Sequence, residues 1–396
     1  MSTAPRWFAA RRLACIAVAV SLAPGVSTRV VAQPAPPRRA LPKASAELSQ
    51  PFTTITNVRE LADGRVLVTD PRERVLQLVS ANLASAQQVG RTGAGPGEYG
   101  LPGRLIAVGA DSTWLLDAGN RRVLTLLPDG KFRSQLGAVG GTTGWDPSTT
   151  FPRYVDARGY AYFVGSNLIQ RNGAIVSADS APIVRVNRRT GARDTAAFVQ
   201  LAKTVISTKT SKGQITSMNI TINPWAAEDD WVVLPDGRLG IVRVDGYRMD
   251  WIAPTGPRRV GARVAYTPVP MTQGDRDAAS QRASGAASAP SGTRGGTSLS
   301  VGASATPPNF DNWPKIKPPF LARAAILAPN GRVWVLRTRN AADSVPMYDV
   351  FDDTGALIEQ VALAASSRVV GFGLRSVYVA RRDSDDLEYL QRIPLR

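Results

Sequence analysis

From Leu61 onward the chain returns repeatedly to one pattern: an apolar run, a polar turn carrying glycine, then a second run of alternating apolar and polar residues. "LADGRVLVTDPRERVLQLVSANL" (Leu61 to Leu83), "VGADSTWLLDAGNRRVLTLLPDGKF" (Val108 to Phe132), "VLPDGRLGIVRVDGYRMDWIAPTG" (Val233 to Gly256) and "LAPNGRVWVLRTRNAADSVPMYDVFDDTG" (Leu327 to Gly355) all follow it. A period of two places successive side chains on opposite faces of a strand. Asp-Gly or Asn-Gly between two such runs is a strong hairpin signal. A polar loop and a third strand follow each hairpin, and another Asp/Gly turn often closes the unit. Two weaker copies, "YVDARGYAYFVGSNL" (Tyr154 to Leu168) and "VVGFGLRSVYVARRDSDDLEYLQRI" (Val369 to Ile393), keep the layout with degraded turns.

Aligned on the first turn, the six copies fall at Gly64, Asp111, Gly159, Gly237, Gly331 and Arg375. Units of roughly 40–50 residues with four strands each are the signature of a β-propeller. The fold expected is therefore all-β: a six-bladed propeller of four-stranded antiparallel blades over residues 46–396. The last copy ends after its third strand, so a strand near Ala46 to Gln50 is expected to close the ring and remove the open edge. Residues 33–45 are expected to be a flexible N-terminal segment. The stretch 268–310 ("QRASGAASAPSGTRGGTSLSVGASATPP" at its centre) has almost no large apolar residue, and is expected to be a mobile insertion. Residues 167–223 keep alternating Val, Ile and Thr, which predicts extra strands.

The start of the chain changes the address. Arg6, Arg11 and Arg12 precede the apolar run "LACIAVAVSLAPGV", with small residues near Ala32. This layout predicts a secretory signal peptide over residues 1–32 and a periplasmic or extracellular location. The run is too short to span a bilayer, so no transmembrane segment is expected after cleavage. Cys15, the only cysteine, lies within the run, and histidine is absent. That composition excludes disulfides, thiolate or histidine zinc sites and Ser-His-Asp triads from the mature chain. The net charge of +17 includes the four arginines of residues 1–32. The remaining Lys and Arg are scattered along strand-like segments, so nucleic acid is not expected as a partner.

One segment, Gly95-Pro96-Gly97-Glu98-Tyr99-Gly100, satisfies the dinucleotide fingerprint G-x-G-x-x-G. A nucleotide loop must start a helix. Here Pro102 and the strand pattern "RLIAVG" follow, so the glycines are assigned to chain geometry. "GRTGAGPGEYGLPGRLIAVGADSTWLLDAGNRRVLTLLPDGKF" (Gly90 to Phe132) resembles an NHL repeat. The match rests on the G-x-G-P-G-E entry with Gly95, Gly97, Glu98, Tyr99 and Pro102, and on Asp117, Asn120, Arg122 and Val123. The other copies are looser. The resemblance implies an NHL/TolB-like six-bladed propeller of the kind common among exported bacterial proteins, with Asp117, Asn120 and Arg122 in structural roles.

NHL-like propellers bind through one face, which lets two columns be read from the repeat register. Six residues beyond each turn position lie Asp70, Asp117, Gly165, Arg243, Arg337 and Arg381. Seven before it lie Asn57, Arg104, Pro152, Asp230, Ala324 and Arg368. Both columns should rim one mouth of the central channel. Converging guanidiniums suit a carboxylate or phosphate. Arg243, Arg337, Arg381, Arg104 and Arg368, with Asp70, Asp117 and Asp230, are thus candidate ligand-binding residues. The same residues can instead pair with one another and hold adjacent blades in register. Relatives by architecture include calcium-dependent lactonases of the gluconolactonase type, for which Asn57, Asp70, Asp117 and Asp230 would be the oxygen ligands. Arg104 and Arg368 at the same mouth oppose a divalent cation. No catalytic residue is identified. The expectation is a monomeric exported binding or scaffold protein with no cofactor, engaging an anionic small molecule or polymer, or an unidentified protein. A calcium-dependent hydrolase and a protein-interaction platform are the alternatives.

Overall fold

The computed structural model describes residues 35–109, 112–137, 151–171, 174–211, 214–286, 313–340 and 342–395. The chain is a six-bladed β-propeller. Inner strands Asn57–Glu60, Pro102–Val108, Tyr154–Val155, Asp230–Val233, Phe320–Leu327 and Ser367–Phe372 line the axis of blades one to six. Each pairs antiparallel with a second strand: Val66–Asp70, Ser112–Asp117, Tyr160–Val164, Leu239–Arg243, Val333–Arg337 and Ser376–Arg382. Third and outer strands extend every sheet to at least four.

The packing explains why these strands are apolar on both faces. Six clusters of buried residues lie between the blades, five between successive blades one to six and the sixth joining blade six to blade one. In blade one, Val66 and Val68 face blade six while Leu67 faces blade two. In blade two, Leu115 turns to blade one, and Trp114 and Leu116 turn to blade three. Alternation along a strand thus distributes side chains between two neighbours, and no blade has a solvent face at its centre.

Ring closure follows the expected route. Ala46–Glu47 pairs antiparallel with Glu388–Pro394 and supplies the fourth strand of blade six. A second N-terminal strand was not expected. Arg38–Ala40, in the segment read as flexible, runs parallel to the outer strand Leu357–Ala362 of blade five. It is held by Arg39 to Glu359 at 2.6 Å and by Arg38 Nε to the Gln360 amide oxygen at 2.8 Å. An open edge offers backbone partners to any nearby extended chain, whatever its side chains.

The segment read as a mobile insertion is also partly structured. Val269–Pro270 pairs with Ile316–Lys317, and Gln273–Ala286 forms a helix. Thr272 and Asp275 cap the helix reciprocally: the Asp275 carboxylate accepts from the Thr272 hydroxyl at 2.6 Å, and that hydroxyl accepts from the Asp275 N–H at 3.2 Å. Buried Lys317 donates to Asp275 at 2.7 Å and lies 5.0 Å from the Trp225 ring. Polar anchoring replaces the missing apolar surface. Residues 287–312 lie outside the described residues.

Candidate functional site

Two kinds of connection divide the propeller into two faces. Turns from inner to second strands, and from third to outer strands, lie on one face. Loops from second to third strands, and crossings to the next blade, lie on the other, which holds both columns. Among the described residues the insertions fall on this second face: the hairpin Leu168–Arg171/Ala174–Ser177, the hairpin Thr204–Ser211/Gln214–Ile222, and the helical segment.

The glycine-rich crossing from blade one to blade two wraps an ion network, and strands follow it. Buried Asp117 accepts the N–H groups of Gly100 and Leu101 at 2.9 and 3.0 Å, the Asn120 amide at 2.8 Å and Arg122 Nε at 3.0 Å. Arg122 donates onward to the carbonyls of Ala94, Gly95 and Glu98, and Asn120 donates to that of Gly93. Gly95 N–H is held by the Glu98 carboxylate at 2.7 Å, and Gly97 adopts φ +72°. The loop approaches so closely that a Cβ on Gly119 would lie 2.7 Å from the Gly100 carbonyl carbon. Pro102 begins the inner strand. The glycines permit this backbone approach to a carboxylate and a guanidinium of the protein itself.

Column by column, the other candidate side chains meet partners. Asp70 accepts the N–H groups of Thr54, Arg72 and Glu73. Arg243 bridges Asp229 at 2.8 Å and Asp250 at 3.0 Å. Arg337 lies 3.5 Å from Asp349, and Arg381 makes two 2.9 Å bonds to Glu47 of the closing strand. These bonds to Arg381 are the main reason the Glu47 carboxyl is held below its ordinary range. Asn57 and Asp230 do equivalent work in different blades: each accepts the N–H of the next inner strand, Leu105 and Ala325 respectively, at 2.7 Å. The four oxygen ligands considered for calcium are therefore all engaged with N–H donors. Among the described residues no group of three or more Asp, Glu, His or Cys has an arrangement that holds a metal ion.

What remains is the mouth. A cavity of about 870 Å³ runs along the axis between all six inner strands. Arg104, Arg153, Arg323 and Arg368 line it from blades two, three, five and six. Arg153 pairs with Asp230, and Arg368 with Glu388 at 2.6 Å and the Ile55 carbonyl. Arg104 lies over the Tyr154 ring at 5.9 Å. Neither Arg104 nor exposed Arg323 has a carboxylate within ion-pair distance among the described residues. Burial is the main cause that pulls Arg104 below its usual range; Tyr154 opposes it, and repulsion from Arg153 and Arg323 adds to it. Nearby Glu228 is shifted the other way, chiefly by burial, with Asp230 adding to the rise.

Arg153 and Arg323 were not in the sequence columns, which named Pro152 and Ala324 one position away. In blade five the register shifts between Phe320 and Ala325, and Arg323 sits in that bulge with φ +62°. A bulge re-aims a side chain without changing the spacing that a repeat alignment counts. The basic residue beside each column position was the available signal.

No family model and no curated protein matches the sequence. Solved structures similar to it include a gluconolactonase from Xanthomonas campestris, 10% identical with TM-score 0.44, covering 91% of this chain and 95% of that one. Regucalcin, a calcium-binding protein from Agrobacterium tumefaciens, is 10% identical with TM-score 0.43, covering 91% and 97%. A member of the DUF4221 family from Bacteroides vulgatus is 7% identical with TM-score 0.45, covering 88% and 96%. Among the described residues no helix is long and apolar enough to cross a membrane.

Proposed function

We propose that this propeller is an exported binding protein that takes an anionic ligand at the channel mouth. The observation that carries this reading is the pair Arg104 and Arg323, which face a shared cavity without a carboxylate partner while repelling each other. An oxyanion placed between them satisfies the guanidinium donors and cancels the repulsion. The outer column, Arg243, Arg337 and Arg381, pairs with carboxylates of its own blades four, five and six and frames the mouth without supplying free charge. Bulged inner strands and aromatic rings under the guanidiniums fix the donors before the ligand arrives.

The test is calorimetric titration of the full exported chain with inorganic phosphate and with citrate. Arg104→Gln and Arg323→Gln should each weaken binding at least roughly tenfold, the loss of one charge-assisted bond. Arg381→Gln should leave binding near wild type. Equal affinity in all four proteins would overturn the reading. A second reading, a protein-interaction platform, draws on Ile169 and Ile222 of the hairpins and Phe198 beside them, which are 44%, 52% and 58% exposed. Pull-down from envelope extract with hairpin-deleted protein tests it.

A further inference from the structure

The cavity behind the arginines differs in character from its rim. Two to four residues further along the inner strands, a distance of roughly 7–13 Å, it is lined by Ile106, Val155, Val233, Ile326, Val370 and Phe372. Each of blades two to six contributes at least one of these apolar groups, and Val58 adds one from blade one. Polar side chains return towards the far end, and there they are engaged: Arg59, next to Val58 in blade one, donates to the Ser112 carbonyl and the Thr113 hydroxyl. Glu60 accepts from the Tyr378 hydroxyl at 2.6 Å and the Leu374 N–H at 2.9 Å. Asp156 accepts from the Tyr162 hydroxyl at 2.9 Å and the Tyr160 N–H at 2.8 Å. Ligand hydroxyls inside this channel would lose water and meet few partners, which disfavours a sugar or a polyhydroxylated acid. The volume, about 870 Å³, is in the range that encloses a small organic ligand.

Resting on the anion reading above, we infer that the ligand is an anionic amphiphile: an alkyl chain ending in one oxyanion. Arg104 and Arg323 hold the carboxylate or phosphate head at the mouth, and the tail lies along the apolar wall of the axis. Binding needs no covalent step and no co-reactant. The tail provides length selectivity, and the head provides orientation, with the charged end towards the face that bears the hairpins and the helix.

The experiment titrates the full exported chain, below micelle formation, with butanoate, hexanoate, octanoate and decanoate, with the matching alkyl phosphates and with the matching 1-alkanols. The dissociation constant of the acids should tighten roughly fourfold per added methylene until the cavity is filled, at one ligand per chain. The alkanols should bind at least roughly tenfold more weakly than acids of equal length, and Arg323→Gln should remove most of that difference. Comparison of carboxylates with phosphates decides which head is preferred. An affinity independent of chain length would overturn the tail assignment and leave the anion reading intact. A length dependence shared equally by acids and alkanols would overturn the head assignment. No binding by any acid or phosphate overturns both. Ile326→Asn should flatten the length dependence with the head contribution unchanged. The wild-type series decides the question even where that variant unfolds.

Discussion

The two faces of the propeller are built by opposite rules. On the face of tight turns, one four-residue unit recurs. The N–H of Gly64 bonds the Leu61 carbonyl at 3.0 Å, and Gly130 with Leu127, Gly237 with Leu234 and Gly331 with Ala328 repeat the bond within 0.1 Å. The Asp or Asn before each glycine accepts the N–H two residues on, as Asp63 does from Arg65 and Asn330 from Arg332. On the mouth face a four-residue turn joins second to third strand in blades one, two and four, closed by Asp70 with Val75, Asp117 with Arg122 and Arg243 with Arg248, but blades three, five and six replace it with longer loops. The loops and crossings of this face hold a glycine loop around an ion network, two hairpins and a capped helix. The regular face satisfies backbone geometry that blades one to five share. The irregular face carries residues particular to single blades, and binding residues concentrate on such loops when a rigid scaffold positions them.

The largest test of this contrast removes one carboxylate from each face. Asp117→Ala removes the carboxylate that pairs with buried Arg122 and leaves the Gly100 and Leu101 N–H groups without their acceptor. It should cost about 3–5 kcal/mol, read by urea unfolding. Asp63→Ala, on the turn face, breaks an exposed pair with Arg65 at 2.7 Å and should stay within about 1 kcal/mol. Equal losses would mean that the mouth-face network contributes no more than a surface turn does.

Glycines sharpen the same comparison at smaller scale. Gly119→Ala places a methyl against the backbone of Gly100 and Leu101, which cannot give way, and should cost about 1–3 kcal/mol. Gly159→Ala meets no atom within 4 Å; only its φ of +88° resists the change. That variant should lose about 1 kcal/mol, and Gly159→Asn less, because asparagine tolerates the left-handed region. Thermal unfolding of the three variants separates crowding from backbone strain.

How much of this was legible in the chain follows the same division. Asp63-Gly64, Asp236-Gly237 and Asn330-Gly331 announced their turns, since the chemistry lies in adjacent residues. The structural role of Asp117, Asn120 and Arg122 was legible because their partners sit in one short segment. Arg38–Ala40 was not, because a parallel edge strand needs only backbone groups and the residues R-R-A show no alternation. The helix Gln273–Ala286 was hidden for a related reason: it has no apolar stripe, and its anchor Lys317 lies 42 residues from Asp275. Arg323 was missed because a bulge moved it into the mouth.

Glu228 offers the finest test of the mouth. Burial is the largest cause of its raised pKa; the Ala202 N–H opposes the rise, Asp230 adds to it, and Arg153 and Arg323 oppose it. A carboxyl raised in the folded state stabilises the fold below its unfolded value, and that contribution is lost as pH rises through the folded value. Anion binding should move in the same direction. Above the raised value Glu228 is an anion beside Arg153 and Arg323 and competes with the ligand; below it the group is neutral and the mouth gains one net positive charge. Hexanesulfonate keeps its own charge throughout, so its affinity should tighten as pH falls from neutral towards the ordinary carboxylate range, through the raised value of Glu228. The gain should be roughly two- to fivefold, the size expected for one partly screened charge. Glu228→Gln should bind with the low-pH affinity at every pH in that range. A pH dependence that survives the substitution would assign the titration to a group outside the mouth, and Glu228 would then belong to the scaffold alone.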